Sequence, residues 1–348
     1  MKKLGFCPLF TTLFIILICR FGDRSRFTGN FYDINTLSSL PLKVPNKTMQ
    51  IYIMTKNEWP LIKSTVLYHG TIFGFENIYV IDASTDPIIL GFLRAAHEKL
   101  GVNVIYSTSN LNTVTEEMNM IMRREKDKAD FLIKLDTDEI LVHYDPTMNK
   151  MSANPTNIRS YLNTLPLDGG ILKAGFQSYA KMFPNCSFSD NTFITSGISS
   201  PFGPYTSKSF FASKTFGTYG LGGHVGALIA SSNVTTIHCT NLSIMHYHYH
   251  CFERSIKADE QAVLSHNYIF GNETVQEKIE KLTALVEDFP ATCRISSCHK
   301  VHHYLQYLIN PEKIKTEHYT IIDQTPSVEN PEISNKMIEL ETKYKWLV

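Results

Sequence analysis

The chain has 348 residues, 43% hydrophobic and 19% charged, which allows one large core and argues against wholesale disorder. Lys and Arg total 33 and match 33 Asp and Glu, so there is no net basic field of the kind that holds nucleic acid non-specifically. Nucleic acid is therefore not an expected partner.

Lys2 and Lys3 precede an uncharged run of sixteen residues, Leu4 to Cys19, and Arg20, Arg24 and Arg26 follow it. No small-x-small cleavage site comes after Cys19, so the run reads as an uncleaved signal anchor rather than a removed signal peptide. Residues 1–26 are assigned to the anchor and its flanks. Residues 27–48, polar and carrying Pro41 and Pro45, are assigned to a stem. A large domain behind such an anchor usually faces the lumen, so the expected place is the Golgi or ER membrane, single-pass and type II. Sequons at Asn46, Asn185, Asn233, Asn241 and Asn272 fit that compartment weakly. Beyond the anchor, Cys186, Cys239, Cys251, Cys293 and Cys298 could supply two disulfides in an oxidising lumen or remain buried thiols.

From Met49 the pattern changes. Gln50 to Met54 is a short apolar run that meets polar Thr55 to Glu58. Trp59, Ile62, Val66 and Phe73 then recur at helical spacing. A second apolar run ends at Asp82. Asp86-Pro87 predicts an N-cap with Pro at the first helical position, Ile89, Leu93, Ala96 and Leu100 form the buried stripe, and Gly101 stops the helix. Val102 to Tyr106 is a third strand. Thr113 to Glu116 reads as a capping box opening a helix to about Lys128. A fourth run, from Asp130 to Leu135, meets Asp136-Thr-Asp-Glu139.

Residues 49–145 therefore read as strand and helix in alternation. The strands are continuously apolar, as strands buried on both faces of a parallel sheet should be. The expectation is a doubly wound α/β half with helices on both faces, and ligands in such sheets bind beyond the carboxyl ends of the strands. Thr55 to Glu58, Asp82 to Asp86 and Asp136 to Glu139 occupy those ends. In residues 146–348, the acceptor-binding half, the pattern is looser. Ile158 to Leu165, Val275 to Phe289 and His302 to Ile309 look helical, and Gly170 to Tyr179 and Leu242 to Cys251 look like strands.

Asp136 and Asp138 leave a buried strand together. Two hard oxygen donors suit Mn²⁺ or Mg²⁺ that also bridges a diphosphate. Extended, His246-Tyr-His-Tyr-His250 would place its three histidines on one face. His246 or His248 could complete the metal set, and the same run is open to a zinc-centred hydrolase reading. His224 follows Leu221-Gly-Gly in a flexible setting. Asp190, Asp259 and Glu260 are available carboxylates for a catalytic base.

Met54-Thr-Lys-Asn-Glu-Trp59, Asn77-Ile-Tyr-Val-Ile-Asp-Ala-Ser-Thr-Asp86 and Lys134-Leu-Asp-Thr-Asp-Glu139 resemble, in order and spacing, successive blocks of GT-A fold glycosyltransferases. The likeness is greatest to the family-2-like and family-92-like group. It implies a metal-dependent, inverting transfer of a sugar, usually a hexose, from a nucleotide-sugar donor to a glycan or glycoconjugate acceptor. It further implies a nucleotide pocket lined by Thr55, Glu58, Asp82 and Asp86, with metal on Asp136, Asp138 and a histidine. Catalytic candidates are then Asp259, Glu260 and His224. A nucleotidyltransferase is the competing enzyme class, though no Gly-rich basic phosphate loop follows the first strand. A non-catalytic carbohydrate-binding relative is the third reading.

Overall fold

The computed structural model describes residues 46–347, apart from 110–112, 149, 168–169, 180–196, 201–206, 230–236, 248–251, 289–295, 324–326 and 329–330. The expected anchor and nearly all of the stem lie outside the described residues. Among those described, no helix is long and apolar enough to cross a membrane.

The first half alternates as its sequence predicts. Strands β1 (Met49–Thr55), β2 (Ile78–Asp82), β3 (Asn103–Tyr106) and β4 (Phe131–Leu135) are separated by helices α1 (Leu61–Phe73), α2 (Pro87–Leu100) and α3 (Val114–Glu125). The four strands are parallel in the order β3-β2-β1-β4, and Ile51 lies opposite both Ile78 and Ile133. Every residue of β2 and β4 is buried.

The two faces are distinct. Ile51 and Ile53 pack with Ile62 and Val66 of α1 and with Phe92 and Leu93 of α2. Tyr52 and Tyr79 face the other way, onto Met118 and Met122 of α3. Buried Gln50 on that second face accepts from the Tyr52 hydroxyl at 3.1 Å and donates to the Glu125 carbonyl at 3.1 Å, so its amide is satisfied within the core.

Local signals explain most helix ends. Asp86 accepts from the Ile88 N–H at 2.9 Å, and Gly101 closes α2 in the left-handed region at φ 82°. The capping box expected at Thr113 is not formed, because Thr113 takes an αR conformation and makes no side-chain cap bond. Within α1, Gly70 admits the Phe75 ring, which also packs edge-on against Tyr344 at 5.8 Å. A Cβ at Gly70 would lie 2.2 Å from that ring. Gly70→Ala gains about 1 kcal/mol of helix propensity but overpacks a held ring, at a cost of about 1–3 kcal/mol. The expected net result is a lower urea midpoint with an unchanged slope.

The second half extends the same sheet. Strands β5 (Glu139–Asp145), β6 (Lys150–Ser152), β7 (Ile171–Tyr179), β9 (Lys208–Ala212) and β12 (Ile237–Tyr247) complete the path β3-β2-β1-β4-β9-β7-β12-β5-β6. In it β5 and β9 run against the rest, so the expected parallel character holds through β4 and becomes mixed beyond it. Strand β8 (Gly197–Ser200) pairs with β7, and a ribbon of β10 (Phe216–Tyr219) with β11 (Gly226–Leu228) covers the α3 face. Helix α4 (Pro155–Thr164) packs on the α1 side.

Helices α5 (Phe252–Ser265), α6 (Val275–Glu287), α7 (Ser296–Ile309) and α8 (Pro311–Asp323) share a separate apolar cluster that includes Val263, Leu282, Tyr304 and Ile314. Helix α9 (Pro331–Lys343), following the short β13 (Ser327–Val328), returns to the main core through Met337 and Leu340.

Candidate functional site

Parallel strands place their carboxyl ends along one edge, and here the loops beyond those ends are knitted together. Asn57, just past β1, holds φ at 58°, a left-handed conformation that Asn tolerates better than most residues. Its N–H donates to Ser84 Oγ at 2.8 Å, and its Oδ1 accepts from the N–H groups of Thr85 at 2.8 Å and Asp86 at 3.0 Å. Ser107, past β3, donates its N–H to the Asp82 carbonyl at 2.7 Å.

On the other side, Thr137 donates to Glu58 Oε2 at 2.6 Å, and Thr65 of α1 donates to the Thr137 carbonyl. Thr55, buried at the end of β1, lies 3.5 Å from the same Glu58 oxygen. The strand ends named from sequence therefore form one contiguous shelf.

Asp82 is 2% exposed, and its two oxygens differ. Oδ1 accepts from the Ser84 N–H at 2.9 Å, whereas Oδ2 is buried with no hydrogen-bond partner among the described residues. A buried acceptor without a donor carries a desolvation cost that a bound N–H or O–H would remove. Asp86, by contrast, is engaged as the N-cap of α2.

Asp136 to Glu139 form the turn between β4 and β5, closed by the Glu139 N–H donating to the Asp136 carbonyl at 3.1 Å. This turn sends the two aspartates to different partners. Asp138 Oδ2 lies 3.0 Å from His246 Nε2, because β12 pairs with β5 in a register that sets His246 opposite Glu139. Asp136 is held by two lysines. Lys134 Nζ contacts Oδ1, and Lys208 Nζ, at the start of β9, lies 2.9 Å from Oδ2. Lys208 also lies 2.8 Å from Glu139 Oε2 and donates to the Gly222 carbonyl.

These contacts shift the titrations. Burial alone would raise Asp136, but Lys134 and Lys208 outweigh it and hold the carboxyl well below the carboxylate range. Burial works against the charged form of Lys208 too, yet Asp136 and Glu139 keep that ammonium firmly protonated. Burial raises Glu139, partly offset by Lys208. Burial, with Asp138 and Asp136 nearby, lifts Glu58 to about 7 even against the Thr137 hydrogen bond. Burial opposes a charged His246, but Asp138 overrides it and raises the imidazole to about 9.

His224 stands at the end of the Leu221–Gly223 turn that lies over these lysines. Burial, with Lys208 adding to it, lowers His224 to about 4, so it is neutral and its Nδ1 lies 3.2 Å from the Ser207 carbonyl. Gly223 holds φ at 72°, and a Cβ there would come within 3.0 Å of Lys134 Cδ. Lys173 of β7 donates to Ser209 Oγ at 2.6 Å and to the His224 carbonyl at 2.7 Å.

The carboxylates Asp259 and Glu260 sit on α5. Asp259 pairs with His303, while Glu260 accepts from Tyr304 at 2.7 Å and Lys278 at 3.3 Å. Their partners tie α5 to α6 and α7. His248, His250 and Asp190 lie outside the described residues.

Lys173 and Lys208 escape the sequence reading, and Asn57, Thr137 and Lys134 stand within its strand-end blocks without a role assigned. Only Lys134 carries a signal there, as a lone charge inside a continuously apolar strand. A cavity of about 960 Å³ opens elsewhere, between β5, β6, α4 and α9, lined by His143, Asp145, Lys150, Tyr161, Glu332 and others. It lies at the opposite end of β5 from the shelf and has no part in it.

No family model matches the sequence, and no curated protein matches it. Among solved structures, S. aureus TarS aligns at 12% identity with a TM-score of 0.32, covering 77% of this chain and 54% of that one. TarS 1–349 in complex with UDP-GlcNAc aligns at 11% identity and TM-score 0.35, covering 76% of this chain and 72% of the other. Mannose-1-phosphate geranyltransferase from Thermus thermophilus aligns at 10% identity and TM-score 0.27, covering 57% of this chain and 75% of the other. The chain thus spans about half the length of full TarS. Likenesses this distant carry neither fold nor function, which here rest on the chain's own residues.

Proposed function

We propose that this chain is a glycosyltransferase that moves a sugar from a nucleotide-sugar donor to a glycan or glycoconjugate acceptor. The observation that carries the reading is the buried, unpartnered Asp82 Oδ2 on a shelf built by the loops beyond β1, β2 and β4. Asp82 accepts from the donor's base or ribose, and Thr55 and Glu58 wall the same pocket. Glu58, held near neutrality, adds no full negative charge where a diphosphate must lie.

Asp138 and His246, whose Oδ2 and Nε2 atoms lie 3.0 Å apart, would hold a divalent cation, Mn²⁺ or Mg²⁺; among the described residues no third His, Cys, Asp or Glu joins them in a metal cluster. Such an ion would neutralise charge growing on the departing nucleoside diphosphate. To hold such an ion, His246 would give up the proton it shares with Asp138. His224, neutral above its lowered pKa, offers a proton acceptor beside the shelf.

Purified protein is to be titrated calorimetrically with UDP and GDP and tested with a panel of nucleotide sugars and Mn²⁺ for nucleoside diphosphate release. Binding and release with at least one donor are expected. Binding of neither nucleotide, together with no release from any donor, overturns the reading. In the binding assay Asp82→Ala is expected to weaken nucleotide affinity about tenfold or more while the protein still melts cooperatively. Equal affinity would reduce Asp82 to a turn residue.

We further propose that the domain works in an oxidising lumen, held at a Golgi or ER membrane by residues 1–26. Cys239 and Cys298 are both disulfide-bonded, a state that cytosolic thiols rarely keep. Asn272 is exposed in the connection between α5 and α6. Protein from a secretory-pathway host should therefore carry a glycan at Asn272, read as a mass shift removed by endoglycosidase. An unmodified Asn272 with free Cys239 and Cys298 would place the chain elsewhere.

A further inference from the structure

The two aspartates of the turn are not equivalent, and the difference lies in two buried cations. Lys208 is 0% exposed, and its three N–H donors face Asp136, Glu139 and the Gly222 carbonyl. So saturated, it has no donor left for a phosphate oxygen. Lys134 is 1% exposed and lies on the other oxygen of Asp136. Each oxygen of Asp136 thus already carries an ammonium, while Asp138 and His246 face each other. The Asp136 N–H donates to Glu139 Oε2 at 2.8 Å, fixing the backbone from which this arrangement hangs.

With both Asp136 oxygens taken up by these ammoniums, an incoming divalent ion finds only Asp138 and His246 among the described residues, too few to hold it tightly alone. A nucleoside diphosphate would reverse the balance by adding its own negative oxygens as ligands for the ion. We propose that Lys208 and Lys134 are built-in counter-cations of Asp136 that keep the empty site weak for a bare divalent ion, so that the ion is taken up together with the donor's diphosphate. This rests on the reading of Asp138 and His246 as the ion's protein ligands. Lys208 is a positioning residue here. Through Gly222 it also fastens the Leu221–Gly223 turn to the shelf, and Gly223 must lack a Cβ because that turn lies on the lysine stems.

Mn²⁺ binding, followed by the loss of the free-ion electron paramagnetic resonance signal, tests this without reference to turnover. Wild-type protein is expected to bind Mn²⁺ weakly alone and about tenfold or more tightly with saturating UDP or GDP, and by linkage Mn²⁺ tightens the nucleotide equally. Lys208→Met and Lys134→Met are each expected to strengthen binding of Mn²⁺ alone by about tenfold and to shrink the nucleotide coupling. Lys208→Arg, which keeps the charge, should behave as wild type. Should Lys208→Met fail to fold, Lys134→Met decides the matter, since among the described residues its ammonium pairs with Asp136 alone.

Lysine variants that bind bare Mn²⁺ no more tightly than wild type overturn the counter-cation role, while nucleotide-dependent binding in those same samples leaves the functional reading intact. Absence of Mn²⁺ binding in every protein, with and without nucleotide, overturns the reading of Asp138 and His246 as the ion's ligands and this proposal with it, while nucleotide binding by the same samples leaves the sugar-transfer reading standing.

Discussion

Asp138→Asn should lower sugar transfer by about 10²–10³-fold while the protein still melts cooperatively near the wild-type temperature. The substitution keeps volume and shape but removes the charge that lies 3.0 Å from His246 Nε2 at the edge of the shelf. The amide presents either an N–H, which no cation accepts, or a neutral oxygen, which attracts one weakly. His246 also loses the carboxylate that raises its pKa to about 9, so the pair ceases to exist as a unit. His246→Ala is expected to cost less, about 10–100-fold, because the carboxylate remains. Asp136→Asn should behave differently from Asp138→Asn. It removes the carboxylate charge paired with Lys134 and one of the two paired with Lys208, so its loss of activity should come with a lower melting temperature, as expected when a buried ion pair loses one member. Measuring turnover and melting together separates the three variants. Wild-type turnover in Asp138→Asn, or full activity in chelator, would remove the cation from the proposed function.

The parallel half of the fold was legible because its local signals, the Thr113 capping box excepted, agreed with the tertiary ones. Strands β2 and β4 are apolar at nearly every position and are buried at every position, and Asp86 and Gly101 bound α2 as their chemistry predicts. The mixed half was not legible. Strand β9, Lys-Ser-Phe-Phe-Ala, is wholly buried yet neither alternating nor continuously apolar, since its lysine and serine are satisfied by groups distant in sequence. Strand β5 begins inside the acidic turn and pairs with β12, about a hundred residues away, a relation no local period reveals.

The site divides in the same way. The strand ends were readable from where apolar runs stop, but the partition of Asp136 from Asp138 depends on Lys208 and His246, each brought in by non-local pairing. Lys134 was the warning the sequence did contain. A lysine within Phe131 to Leu135 cannot be buried on both faces of a sheet without an anion close by, and Asp136 is that anion. The choice of Asp259 and Glu260 as base candidates rested on residue type alone. Both prove to have partners among the neighbouring helices, in His303, Tyr304 and Lys278.

Glu58 should make the stability of the metal-free protein fall as pH rises from about 4.5 to about 7. Its carboxyl sits between the ends of β1 and β4, where burial and the charges of Asp138 and Asp136 disfavour the ionised form and lift it from 4.5 to about 7. The native state therefore holds its proton more tightly than the unfolded chain. Below pH 4.5 both states are protonated and there is no penalty. Between the two values the unfolded chain ionises first and gains free energy that the native state does not, so stability drops. Above pH 7 both are ionised and the loss is complete, amounting to about 2–3 kcal/mol once partial exposure is allowed for. Urea denaturation in chelator, at intervals from pH 4 to 8, reads this directly. Glu58→Gln keeps an acceptor for the Thr137 hydroxyl and cannot ionise, so its stability should exceed wild type above pH 7 and match it at pH 4. Parallel curves for the two proteins over this range would show that Glu58 ionises in the folded site as readily as in water.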